Sequence, residues 1–185
     1  MEFDVMTRAT TWDNVASLAR RVEQAGFSGM LFTEGHQVPW MNIAAASLAA
    51  PSLHFSTGIA IAFARSPMVS AEIAWELAQN TRGKFRLGLG SQVKAHIERR
   101  FGMPWSAPAP RMRDYIGAMR AVWDCWQTGE PLRFESEMAL LLCTLLASHA
   151  IGAVIQNNSM KARQPDQNET SSRFSPLNRH RESAP

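Results

Sequence analysis

Short apolar segments, each leading into a helical pattern, recur through the first half of this chain, and that alternation restricts the fold more than any other feature. Residues 29–33 (GMLFT) form a continuous apolar run, as expected for a strand covered on both faces of a parallel sheet. Residues 53–63 (LHFSTGIAIAF) open with strand-like β-branched and aromatic residues, and residues 85–89 supply the next strand. Helices are expected between them. Val15, Leu18, Ala19, Val22 and Ala25 recur at helical spacing before Gly26, which predicts a helix over 12–25. A second is expected over about 41–50, and a third over 67–80, where Ser66 and Pro67 make a favourable cap and first helical position.

Beyond residue 90, a helix is expected from the GSQ turn to about Phe101. Pro104, Pro108 and Pro110 mark an irregular connection. Met112, Tyr115, Ile116, Met119, Trp123 and Trp126 then share a face through a long helix that Gly129 and Pro131 stop. Strands and helices alternating at roughly 25 to 30 residues describe right-handed βαβ units, hence an α/β fold with a parallel sheet or a (β/α) barrel.

In such a fold, ligands lie at the carboxyl ends of the strands, which directs attention to the loops EGHQVPW, GIAIAFAR and GSQVK. In KFRLGLGSQVK a strand meets a glycine-rich turn. A helix opened by that turn would leave amides free to hold a phosphate or carboxylate over Gly90, Ser91 and Gln92. Gly88 and Gly90 let a ligand approach the backbone, although glycines also serve simple close packing. The dinucleotide fingerprint GxGxxG is absent, as are a GxSxG elbow, an HExxH pair and a Walker A loop.

His36 is the one histidine in these loops. It can hydrogen-bond a cofactor ring or exchange a proton with substrate, or simply bond its own loop at the surface. Glu34, at a strand tip, can orient His36, meet a ligand hydroxyl, or form a plain salt bridge to Arg65 or another basic residue. Glycine-lined backbone, one histidine and aromatic walls suit an organic cofactor that brings its own reactivity. No metal-ligand spacing surrounds either of the two cysteines, Cys125 and Cys143, which read as reduced core thiols.

The formal net charge of +3 does not indicate a nucleic-acid face, because two of those three charges fall within residues 161–185. Acidic residues stand where a secretory signal would carry basic ones, so a cytoplasmic location is expected. After residue 137 the character changes. Residues 138–155 are an apolar run of 18, interrupted by Thr144, Ser148 and His149, and read as a buried helix or strand pair rather than a membrane span. From residue 156 to 185 the composition predicts a disordered tail.

The segments TRGKFRLGLGSQVKAHIERRFGMPW, ARSPMVSAEIAWELAQ and QAGFSGMLFTE resemble the bacterial-luciferase-like oxidoreductases, especially their deazaflavin-dependent branch. The likeness covers residues 12–137 or so. It implies a TIM-type (β/α) barrel that binds coenzyme F-420, or FMN in sister branches, and passes hydride between that cofactor and an organic substrate. By the same resemblance, His36 would lie beside the cofactor ring in the loop after the second strand; Glu34, at that strand's tip, is the second catalytic candidate from its position alone. Gly58 and Ile59 would match a strand-three bulge with a non-proline cis peptide behind the ring, and Gly90, Ser91 and Gln92 would meet the cofactor tail.

A closed eight-stranded barrel needs about 250 residues, and here the likeness stops after four β/α units. The expectation is an incomplete barrel, 1–137, whose exposed inner face is covered by the run from Met138 or by a second copy in a homodimer. The rival reading is a non-catalytic truncated remnant or oligomerisation module of the same fold.

Overall fold

The computed structural model describes residues 2–136 and 139–143. In chain order these form β1 (Asp4–Arg8), α1 (Trp12–Gln24), β2 (Gly29–Thr33), α2 (Trp40–Ala49), β3 (His54–Thr57) and β4 (Ala60–Ile61). A single 3-10 turn (Ala62–Ala64) follows, then α3 (Pro67–Asn80), β5 (Phe85–Arg86), β6 (Leu89–Gly90), α4 (Lys94–Arg99), α5 (Pro108–Thr128), β7 (Leu132–Ser136) and β8 (Ala139–Cys143).

All pairings among the first six strands are parallel. One sheet has the order β1-β2-β3-β5, and the pair β4-β6 carries the same two lines onward after breaks at Gly58–Ile59 and Leu87–Gly88. Register puts Val5, Met30, Phe55 and Phe85 level, and next to them Met6, Leu31, Ser56 and Arg86. Because side chains alternate along a strand, these two rows lie on opposite faces.

The first row is the core. Met30 and Phe55 pack with Val15, Ala19 and Val22 of α1 and with Ile43 and Ala46 of α2, all buried. Fully burying side chains of this size contributes about 1.5 to 3 kcal/mol each, which is why two helices stay on one side of the sheet. The second row is left open among the described residues: Met6 is 69% exposed and Arg86 is exposed. Among the described residues this parallel sheet does not close into a barrel.

A second core joins the strand tips to the later helices. Ile61, Phe63, Ala71, Ile97, Tyr115, Met119, Val122 and Leu132 are buried together. Ser66 caps α3 by accepting the Val69 N–H at 3.2 Å. The Trp123 indole of α5 donates to the Ala71 carbonyl of α3 at 3.1 Å, and Trp75 meets Trp126 edge-on at 5.4 Å. Gly129, at φ 78°, ends α5 in the left-handed conformation that glycine adopts without penalty.

Two expectations change, and one strand was not expected. Pro108 and Pro110 belong to the first turn of α5 rather than to a connection, since the first helical N–H groups have no intrahelical acceptor and proline loses nothing there. The helix after the GSQ turn is only Lys94–Arg99. β1 enters the sheet as an edge strand that the helix-and-strand alternation did not announce. Of the apolar run 138–155, Ala139–Cys143 are a strand paired antiparallel with Leu132–Ser136. The remainder of that run, and residues 156–185, lie outside the described residues. Among those described, no helix is long and apolar enough to cross a membrane.

Candidate functional site

The carboxyl ends of β2, β4 and β6 converge, and with them several of the residues singled out above. Ile61 is level with Gly90. A methyl group at Gly90 would fall 2.8 Å from the Ile59 side chain, and one at Gly58 would fall 2.3 Å from the Leu31 side chain. Leu31 and Ile59 therefore lie directly over two glycines and make a low apolar floor. Ile59 is 37% exposed on it. The Gly58–Ile59 peptide is cis, as the family resemblance implied.

Gly88 supports this floor from one side. Its carbonyl accepts the Ala60 N–H and the Thr57 hydroxyl, each at 2.8 Å, so the strand line resumes in register after the break. Glu34 supports it from the other side. Its N–H donates to the Ile59 carbonyl at 3.2 Å, and its carboxylate accepts the Ile61 N–H at 2.7 Å and pairs with both terminal nitrogens of Arg65. The Glu34 side chain is 3% exposed. Of the partners considered from sequence, Arg65 is the one it holds.

His36 sits on the loop that leaves β2. That loop is pinned near both ends: Arg100 donates to the Gly35 carbonyl at 2.5 Å, and the Arg65 guanidinium lies 5.4 Å from the Trp40 ring centroid where α2 begins. Gly35, His36, Gln37 and Val38 are exposed between those anchors. The imidazole is thus presented to solvent beside the Glu34 anchor.

Ser91 and Gln92 are half-buried just beyond β6. Gln92 takes φ 60°, and its side-chain carbonyl accepts the Val93 N–H at 3.0 Å. This turn separates Gly90 from α4, whose six residues carry little dipole. Any anion held here rests on loop amides and the Ser91 and Gln92 side chains rather than on a helix end.

Sequence reasoning did not single out the buried hydroxyls behind the site. The Tyr115 hydroxyl lies 2.5 Å from the Ser70 hydroxyl and donates to the Ser66 carbonyl at 3.1 Å. Burial raises the Tyr115 pKa above its ordinary value, although the Ser70 bond and the nearby guanidinium groups of Arg65 and Arg111 oppose the shift. Arg111 lies 4.2 Å from the Phe63 ring centroid, and burial lowers its pKa. Among the described residues no cluster of His, Cys, Asp or Glu can hold a metal ion.

Comparison with known proteins gives a consistent answer. An uncharacterised protein of Mycobacterium tuberculosis strain H37Rv is 43% identical over 122 residues, which is 66% of this chain and 36% of that protein. A phthiodiolone/phenolphthiodiolone dimycocerosates ketoreductase of the same organism and strain is 30% identical over 99 residues, 53% of this chain and 25% of that protein.

Two solved structures share the fold. The oxygenating constituent of 3,6-diketocamphane monooxygenase from Pseudomonas putida, in complex with FMN, superposes with a TM-score of 0.63 at 20% identity, covering 75% of this chain and 43% of that one. An F420-dependent secondary alcohol dehydrogenase, in complex with an F420-acetone adduct, gives 0.64 at 19% identity, covering 80% and 49%. The chain spans between a quarter and a half of the length of these relatives. The profile of the luciferase-like monooxygenases matches residues 1–148, and the chain belongs to that family.

Proposed function

We propose that this chain carries the amino-terminal part of the ring site of a flavin-type oxidoreductase, which moves hydride between coenzyme F-420 or FMN and a small organic substrate. The observation that carries this reading is the floor at the strand tips: Gly58 and Gly90 stand where any Cβ would collide with Leu31 or Ile59. A planar ring system fits an apolar surface kept that low, so the residues present are compatible with either cofactor.

Leu31 and Ile59 would carry the ring, with Gly58 and Gly90 keeping the surface flat. Ser91 and Gln92 would bind the polar tail. The bound cofactor supplies the hydride chemistry. His36, exposed on a loop with fixed ends, is the group available to hold or return a proton at a ring nitrogen. Fixing the loop ends limits the conformations that must be frozen when substrate binds.

A second reading, a non-catalytic remnant or oligomerisation module, is favoured by the open row of Met6, Leu31, Ser56 and Arg86. A second copy could cover that row. Titration of the purified chain with F-420 and with FMN, followed by fluorescence and paired with sedimentation, separates the two. Saturable binding of either cofactor supports the oxidoreductase reading; a dimer that binds neither supports the module.

A further inference from the structure

β2 stops at Thr33, whereas β4 continues to Ile61, so among the described residues the β2 side of Ile61 has no neighbouring strand to pair with. A side-chain pair takes that place. The Ile61 N–H donates to Glu34 at 2.7 Å, and the Ile61 carbonyl accepts from Arg65 at 2.9 Å. The two side chains also bind each other in a two-pronged pair, 3% and 13% exposed. The Glu34 N–H holds the Ile59 carbonyl two residues earlier.

We propose that Glu34 and Arg65 act as a positioning pair, standing in for the missing end of β2 and fixing the backbone course of Ile59 to Ile61 under the bound ring. Glu34 is then not a proton-transfer group: its carboxylate oxygens are engaged by Arg65 and Ile61. Charge-assisted bonds from a rigid guanidinium fork set direction as well as energy, and direction is what a floor residue needs. The functional half of this proposal rests on the ring-site reading above; the structural half does not.

Glu34→Leu combined with Arg65→Met removes both charges together, so no ion is left buried without a partner. Amide hydrogen exchange in the ligand-free chain reads the structural half. The Ile61 amide should lose protection by about 10- to 100-fold, while Met30 and Phe55 in β2 and β3 keep theirs. Unchanged exchange at Ile61 overturns the proposal.

Arg65→Lys gives the same reading if the double variant does not fold, because lysine keeps the charge but lacks the fork that reaches Glu34 and the Ile61 carbonyl together. It should raise Ile61 exchange while leaving Met30 and Phe55 unchanged; unaltered Ile61 exchange again overturns the pair. Titration with whichever of FMN or F-420 the parent chain binds reads the functional half. The double variant should bind at least about 10-fold more weakly, and equal affinity overturns the role under the ring. Should the parent chain bind neither, the ring-site reading fails by itself and the exchange result still decides the pair.

Discussion

The Thr57 hydroxyl donates to the Gly88 carbonyl and accepts the Gly88 N–H, both at 2.8 Å, and so bridges the step where the β3–β5 ladder ends and the β4–β6 ladder begins. Thr57 is 3% exposed, so neither bond has water to replace it. Thr57→Val keeps the shape and deletes both bonds. Chemical denaturation should show a loss of about 1 to 3 kcal/mol with little change in m. An unchanged midpoint would mean that the step is held by the backbone alone.

Gly88→Ala tests the same step from the opposite strand. The added Cβ would lie 2.1 Å from the Thr57 carbonyl oxygen, a backbone atom that cannot rotate away. Destabilisation of about 3 kcal/mol or more is expected. Gly35→Ala is the control, with nothing within 4 Å of its Cβ, and should stay within about 0.5 kcal/mol of the parent chain.

Tyr115 is the single tyrosine of the chain, so tyrosinate absorbance reports it alone. Burial raises its pKa above the ordinary value of 10.0. A raised folded-state pKa means that the stabilisation is complete below the unfolded value and is lost as pH rises through the folded one. Alkaline titration should therefore show tyrosinate appearing above pH 10.0, in step with loss of stability. Ionisation at or below the ordinary value, in a folded chain, would contradict the buried placement.

Glu23 gives the acid-side counterpart. Bonds from the Ser52 hydroxyl, chiefly, and the Ser52 N–H hold its pKa below 4.5. A lowered folded-state pKa contributes stability above the unfolded value that disappears as pH falls through the folded one. The melting temperatures of the parent chain and Glu23→Gln should differ at neutral pH and draw together below pH 4.5. A gap that stays constant through that range would assign the bonds no charge dependence.

His36→Ala separates chemistry from folding. The residue is exposed, so stability should change by no more than about 0.5 kcal/mol. Loss of a general acid or base should slow hydride transfer about 100- to 10,000-fold in any chain shown to catalyse it. An unaltered rate would remove His36 from the mechanism.

Elements whose signals are local were legible in the sequence. Ser66 followed by Pro67 marked the start of α3, and GMLFT marked β2 to the residue, because a cap and a continuous apolar run are read within a few positions. β1 was not recognised. It is an edge strand in which Val5 packs inward while Asp4, Met6 and Arg8 stay exposed, so its charges masked a short alternation. The helix after the GSQ turn was expected too long because nothing in sequence shows that Gln92 and Gly102 both take positive φ, at 60° and 65°.

The site divides in the same way. Gly58, Ile59 and Gly90 could be named in advance, because they sit at strand ends that the alternation and the family resemblance locate. The Arg100 bond to Gly35 joins residues 65 positions apart, and the Tyr115 hydroxyl reaches Ser66 across 49. Such contacts follow from how α4 and α5 return over the strand tips, which no local pattern encodes.

Backbone amide shifts of the isotope-labelled chain, followed during addition of FMN and of F-420, test the central claim most directly. A ring seated on the strand-tip floor should move Ile59, Gly90, Ser91 and Gln92 saturably with one of the two cofactors, and leave Ala19 in α1 and Trp126 in α5 still. Shifts confined to helices, or none at all at saturating cofactor, would contradict the account.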